Sequence, residues 1–143
     1  LGLLPNDSAK LPLVLINGDI LTKVNFAKLM EFHDSNKADS TMCVREYEYQ
    51  VPFGVVEGEG IEVTGMVEKP TQRFFVNAGI YILNPSVIDT VKPNNHIDMP
   101  TLLEQQIAKN KKVLKFPIYE YWLDIGRMDD FNRAQKDFSG LGL

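Results

Sequence analysis

One cysteine, two histidines and one tryptophan in 143 residues leave little room for several common chemistries. A lone Cys43 cannot close an intrachain disulfide, so a reducing, cytoplasmic setting is the expectation. Its neighbours Met42 and Val44 point to a strand, and Cys43 reads as a buried, inert thiol rather than a nucleophile. His33 has no second histidine or cysteine placed to share a metal, so it reads as a helix-end histidine packed against the domain. No apolar run approaches the length of a membrane-spanning helix, and no signal-peptide pattern is present. Positive charge is also in short supply. Fifteen Lys and Arg face nineteen Asp and Glu, for a net charge of −4. That balance lacks the basic footprint of a nucleic-acid binder. Lys109, Lys111 and Lys112 form the one basic cluster and read as a solvated helix end. Glycine is densest at Glu57-Gly58-Glu59-Gly60. No Lys-Ser/Thr and no helix follow it, so it is a hairpin turn and not a phosphate loop.

What remains is an ordinary globular composition, with 44% hydrophobic and 24% charged residues. The length suits a single domain, residues 1–143, with a real core. Leu1-Gly2-Leu3-Leu4-Pro5 reads as the tail of a helix, and the expectation is a C-terminal portion of a longer domain. Leu11–Ile16 is a short apolar run closed by Asn-Gly, the pattern of a buried strand entering a loop. Asn25 caps a helix that buries Phe26, Leu29, Met30 and His33 at helical spacing. Ser40–Tyr47 alternates as a strand. Pro52–Val56 and Ile61–Glu68 flank the glycine turn, and Phe74–Leu83 is a strong strand. Pro85 opens a short helix, and Asp98-Met99-Pro100 starts a longer one. Val113–Phe116 and Tyr119–Leu123 are the closing strands. Asp129 and Asp130 fall in the first turn of a last helix, where carboxylates suit the helix dipole. The pattern is α/β, with helices flanking a mixed sheet.

Carboxylates mark the chemistry. In open α/β sheets ligands lie beyond the carboxyl ends of the strands. Asp19 stands there, just after Leu11–Ile16. Asp124, in Trp122-Leu123-Asp124-Ile125-Gly126, also ends a hydrophobic stretch. Two carboxylates at one cleft can hold Mg²⁺ and leave positions open for phosphate oxygens. Either Asp alone reads first as a loop or turn residue, and it is the pairing with the motifs below that reverses this. Glu68 and Lys69 taken alone read first as a surface ion pair at a strand end. Trp122 reads as a packing residue beneath the site.

Asn17-Gly18-Asp19, Glu68-Lys69-Pro70, Asn77-Ala78-Gly79 and Trp122–Gly126, in this order, resemble the sugar-1-phosphate nucleotidyltransferases. The resemblance runs from about Leu11 to Phe138, and the wording of the motifs is nearest the mannose-1-phosphate guanylyltransferase-like branch. It implies a three-layer, Rossmann-like nucleotidyltransferase fold with a mixed sheet. It also implies a reaction in which a sugar-1-phosphate oxygen attacks the α-phosphorus of an NTP and pyrophosphate leaves. Carried over residue by residue, Asp19 and Asp124 hold Mg²⁺, and Lys69 sits on the sugar phosphate as a catalytic point charge. Glu68 accepts from sugar hydroxyls. Asn77, Gly79 and Gly54 line the sugar pocket. Phe53 stands where family members often carry Tyr, so any hydroxyl contact there is lost.

One element of the family is missing: the N-terminal glycine-rich loop with Gly-Thr-Arg that wraps the nucleotide phosphates. The resemblance therefore implies a C-terminal fragment with its N-terminal strands absent, inactive alone, which keeps the sugar-phosphate and metal side. Leu11–Ile16 would then present an unpaired edge, and the expectation is a homo-oligomer or docking of the missing segment. Two rival readings stand beside the enzyme. One is a non-catalytic sugar-phosphate or nucleotide-sugar binding module, which has less need of two metal carboxylates. The other is a metal-dependent glycosyltransferase. That class carries Asp-x-Asp, whereas here Asn-Gly-Asp runs into Ile20 and Leu21.

Overall fold

β-branched and aliphatic residues from four separated stretches build the central sheet. β1 (Leu13–Ile16), β3 (Ser40–Gln50), β6 (Thr71–Leu83) and β7 (Val113–Pro117) lie in the order β1-β6-β3-β7. The computed structural model describes residues 11–126, together with Asn132 and Lys136. β6 is antiparallel to both β1 and β3, whereas β7 joins β3 in parallel, so the sheet is mixed. Two small ribbons flank it. β2 (Ile20–Thr22) pairs with β8 (Trp122–Asp124), and β4 (Val55–Glu57) pairs with β5 (Gly65–Val67). The three helices are α1 (Phe26–Ser35), α2 (Pro85–Ile88) and α3 (Met99–Ala108).

Alternation along β6 divides the core into two faces. Ala78, Ile80 and Ile82 point one way and pack with Cys43, Val24, Ile118 and Leu29 of α1. Tyr81 and Leu83 point the other way, into Val87 and Ile88 of α2 and Leu102 and Leu103 of α3. Helices thus cover both faces of a mixed sheet, the three-layer α/β arrangement expected from the sequence. His33 is buried, as expected of a packed helix-end histidine. Its Nε2 lies 2.6 Å from Asn84 Oδ1 and its Nδ1 lies 2.7 Å from Thr41 Oγ1. Asn84 is oriented by donating its amide to the Ala38 carbonyl. Its oxygen therefore accepts from Nε2–H, and in the neutral ring Nδ1 accepts from the Thr41 hydroxyl. Burial also pushes the Cys43 thiol up to about 12, with the Glu120 charge adding to the effect, which keeps the thiol protonated and inert.

Several boundaries differ from the expectation. Phe26 is exposed rather than on the buried face of α1, because it is the first helical residue and stands clear of the sheet. Tyr119–Tyr121 is not strand. Only Trp122–Asp124 is, and its partner is a three-residue strand, Ile20–Thr22, hidden in what reads as a turn. The glycine turn lengthens into a Gly58–Thr64 connection, leaving β5 only three residues. Leu1–Pro5, Asp129 and Asp130 lie outside the described residues. Among the described residues no helix is long and apolar enough to cross a membrane.

Asp98 caps α3 as expected, accepting from the Thr101 amide at 2.9 Å. The side-chain and backbone hydrogen bonds of Thr101 hold its carboxyl below the usual value. A depressed folded value means that the cap stabilises above the unfolded pKa, near 4, and is lost as pH falls through the folded value. Asp98→Ala is therefore expected to lower the melting temperature at pH 7. That deficit should shrink as pH falls below about 4 in a thermal-denaturation series.

Candidate active site

Asn17 closes β1 and starts a tight turn in which the Ile20 amide donates to the Asn17 carbonyl. The turn delivers Asp19, exposed, to the start of β2. β2 runs antiparallel to β8 with Ile20 opposite Asp124, and the Ile125 amide donates to the Asp19 carbonyl at 2.8 Å. This short ribbon joins two carboxylates that are far apart in sequence. A methyl group placed on Gly126 would lie 2.5 Å from Asp19 Oδ2 and 3.0 Å from Asp124 Oδ1. Both carboxylates therefore border one small space, which exists because residue 126 has no side chain. Asp124 Oδ1 is aimed there by accepting from the Gly126 amide at 2.9 Å.

The donor set fits Mg²⁺. No cluster of three or more His, Cys, Asp or Glu forms among the described residues. Mg²⁺ is commonly held by one or two carboxylates, with water and substrate phosphates completing its six positions. Two convergent carboxylates at an exposed strand end offer that arrangement.

The Asn77-Ala78-Gly79 motif meets this turn from β6. Pairing passes from Met42 opposite Tyr81 to Val44 opposite Asn77, so Cys43 alone faces three residues, and β6 bulges. Gly79 takes φ +75°, a conformation that glycine adopts without strain. A side chain there would also strike Asn17 Nδ2, at 2.8 Å. The Asn17 amide donates to the Gly79 carbonyl at 2.9 Å. The side chain of Asn77 is engaged in the fold. Its Oδ1 accepts from the Gly79 amide, and its Nδ2 lies 2.8 Å from the Tyr81 hydroxyl. On the other face of the sheet, Trp122 Nε1 donates to the Ala78 carbonyl at 2.6 Å, and the Arg45 guanidinium covers the indole.

Gly54, Glu68 and Lys69 form a second group. Glu68 Oε2 lies 3.3 Å from where a Gly54 Cβ would stand, so the two motifs touch. Lys69 takes φ +43°, left-handed backbone that costs an ordinary residue about 1–2 kcal/mol. The ladder holds it there, since the Val51 amide donates to the Pro70 carbonyl. Glu68 and Lys69 do not pair with each other. The described ion pairs join Arg73 to Glu46 and Glu48. Between Lys69 and Asn77 runs the distal half of β6, paired with β3 from Thr71 opposite Gln50 onward. Six residues of extended strand make about 20 Å of contour. The structure thus joins Asp19, Asp124, Asn77 and Gly79 in one group and sets Gly54, Glu68 and Lys69 at the far end of this ribbon.

Three participants carried no role in the sequence reading: Gly126, Tyr81 and Arg45. Gly126 had a signal, since it closes the motif that holds Asp124. Arg45 and Tyr81 had none, because their importance comes from contacts that the fold creates: Arg45 with Trp122 of β8, and Tyr81 with Asn77 on its own strand.

The nucleotidyl transferase family model matches residues 3–139, and the chain belongs to that family. It is 35% identical over 128 residues to the mannose-1-phosphate guanyltransferase of Yarrowia lipolytica, covering 84% of this chain and 34% of that protein. It is 31% identical over 140 residues to the mannose-1-phosphate guanylyltransferase catalytic subunit beta of Dictyostelium discoideum, covering 92% of this chain and 36% of that protein. The chain therefore spans about a third of the length of these curated relatives. Among solved structures, HddC of Yersinia pseudotuberculosis superposes with a TM-score of 0.61 at 24% identity, over 89% of this chain and 55% of that one. A UDP-glucose pyrophosphorylase superposes with a TM-score of 0.59 at 22% identity, over 94% of this chain and 56% of that one. These likenesses show a shared nucleotidyltransferase fold.

Proposed function

We propose that this chain is the sugar-phosphate and metal half of a Mg²⁺-dependent sugar-1-phosphate nucleotidyltransferase, which joins an NTP and a sugar-1-phosphate into an NDP-sugar and releases pyrophosphate. The observation that carries the reading is the convergence of Asp19 Oδ2 and Asp124 Oδ1 on the space beside Gly126. Phosphoryl-group chemistry of this kind needs in-line positioning and charge neutralisation rather than covalent work by the protein. Mg²⁺, when bound between the two carboxylates, would neutralise charge on the phosphates. Asp19 and Asp124 fix where that charge sits. Gly79 lets the backbone approach the sugar, and Asn77 braces the loop that presents it. Lys69 supplies a mobile cation for the sugar phosphate, and Glu68 an acceptor for its hydroxyls. Both must approach along the β3–β6 ribbon. The names of the relatives favour mannose-1-phosphate and GTP as substrates.

The nucleotide half would come from a preceding segment, and the sheet supports this. Among the described residues β1 is one of the two terminal strands, and Val14 and Ile16 on its α1 face are exposed. Such an edge invites a further strand, from another segment of a longer chain or from a second copy. The lone buried thiol supports a cytoplasmic setting.

The test is pyrophosphate release from a panel of NTPs and sugar-1-phosphates with Mg²⁺, using this chain and the protein of the full reading frame. Activity confined to the longer protein is the expected result. Silence from both, with sugar phosphate still binding, would favour the non-catalytic binding module.

A further inference from the structure

Resting on the metal reading above, we propose that Tyr81 is a positioning residue for Asp19, acting through Asn77 and the Gly79 bulge. Tyr81 is 2% exposed, packed against Val87 and Leu102, and so has no face on which to meet a ligand. Its hydroxyl nevertheless lies 2.8 Å from Asn77 Nδ2 and 3.1 Å from Asn77 Oδ1. Asn77 Oδ1 in turn accepts from the Gly79 amide at 2.8 Å, and the Gly79 carbonyl accepts from the Asn17 amide at 2.9 Å. Asn17 begins the turn whose third residue is Asp19. The first link is a pair of contacts and the next two are single hydrogen bonds, so the chain runs unbroken from Tyr81 to the turn.

The arrangement matters because the bulge is poorly braced on that face. Opposite Ala78–Ile80 the β3 ladder offers only Cys43. Gly79 is the most conformationally free residue in the segment. Without the hydroxyl, Asn77 has lost the partner of its Nδ2 and can rotate away from the Gly79 amide. The Asn17–Asp19 turn then samples positions in which Asp19 Oδ2 no longer converges with Asp124. Ring packing would be unchanged, so stability and geometry separate.

Tyr81→Phe tests this, with Ile82→Val as a core lesion on the opposite face of the same strand. Mn²⁺ is titrated into the wild-type chain and each variant, followed by water-proton relaxation and by competition with Mg²⁺. Asp124→Asn marks which signal belongs to the carboxylate site. Tyr81→Phe should weaken that signal by about threefold to tenfold, the range of one hydrogen bond. Ile82→Val should leave it unchanged while lowering the melting temperature at least as far. Unchanged affinity in Tyr81→Phe, or equal weakening in both variants, overturns the positioning role and leaves the metal site standing. Absence of any Asp124-dependent Mn²⁺ signal in the wild type overturns the metal reading, and the proposal with it.

Discussion

Gly126→Ala should reduce nucleotidyl transfer on the order of a hundredfold while moving the melting temperature by no more than a few degrees. The added methyl would stand 2.5 Å from Asp19 Oδ2 and 3.0 Å from Asp124 Oδ1. The first distance is well inside van der Waals contact, so the Asp19 carboxylate must move. The obstruction is a backbone-borne carbon, which cannot swing away. A displacement near 1 Å at a reacting centre is enough for a loss of that size. Folding is spared because Gly126 is exposed and its backbone lies outside the left-handed region, so alanine brings no φ penalty. Steady-state kinetics of the full-length protein, beside a thermal melt, check both halves. Near-native activity would show that the carboxylates do not need the space beside residue 126.

Asp124→Asn should cost more. Loss of an outer partner that merely orients a metal ligand typically costs about tenfold to a hundredfold in affinity or activity. On the proposed metal reading Asp124 is one of two charged ligands, and its removal should exceed that. The fold should tolerate the change, since Asn keeps an Oδ1 able to accept from the Gly126 amide and is nearly the same size. Asp124 is only half-buried at the end of a three-residue strand. Turnover should therefore fall far more than stability, measured as kcat and as the midpoint of denaturant unfolding on one preparation. Parallel loss of both would make Asp124 a structural residue.

That Asp19 and Asp124 could share one end of the sheet was readable before any coordinates, and for a physical reason. Asp19 and Asp124 each close an apolar run, and in open α/β sheets ligands lie beyond the carboxyl ends of such strands. The Asn25 and Asp98 caps were likewise legible, because capping is local chemistry between a side chain and amides three residues on. What escaped was whatever depends on pairing at a distance. β2 is three residues of Ile-Leu-Thr whose strand character exists only because β8 lies beside it. The bulge at Gly79 follows from a mismatch of register between β3 and β6, which neither strand shows alone. Tyr81 looked like one more apolar residue of a strong strand. Its hydroxyl gained meaning only when Asn77, four positions earlier, turned onto the same face. The separation of Lys69 from Asp19 was hidden for the same reason. Motif order gives sequence distance, whereas the β3–β6 ladder sets the path between them.

That ladder carries a consequence for how relatives of this chain can diverge. Thr71 to Asn77 is held against Gln50 to Val44 in unbroken register, and side chains on it alternate between faces. Adding or deleting one residue in this stretch would turn every side chain between the change and the nearest bulge through the sheet. Phe75 would exchange places with Phe74, and Arg73 would leave Glu46 and Glu48. Two residues, or one residue absorbed by a new bulge, would preserve the faces and only lengthen the arm. The reach between Glu68-Lys69-Pro70 and Asn77-Ala78-Gly79 is therefore quantised. Across relatives it should vary in even steps, and an odd step should bring a glycine or a break in the ladder with it.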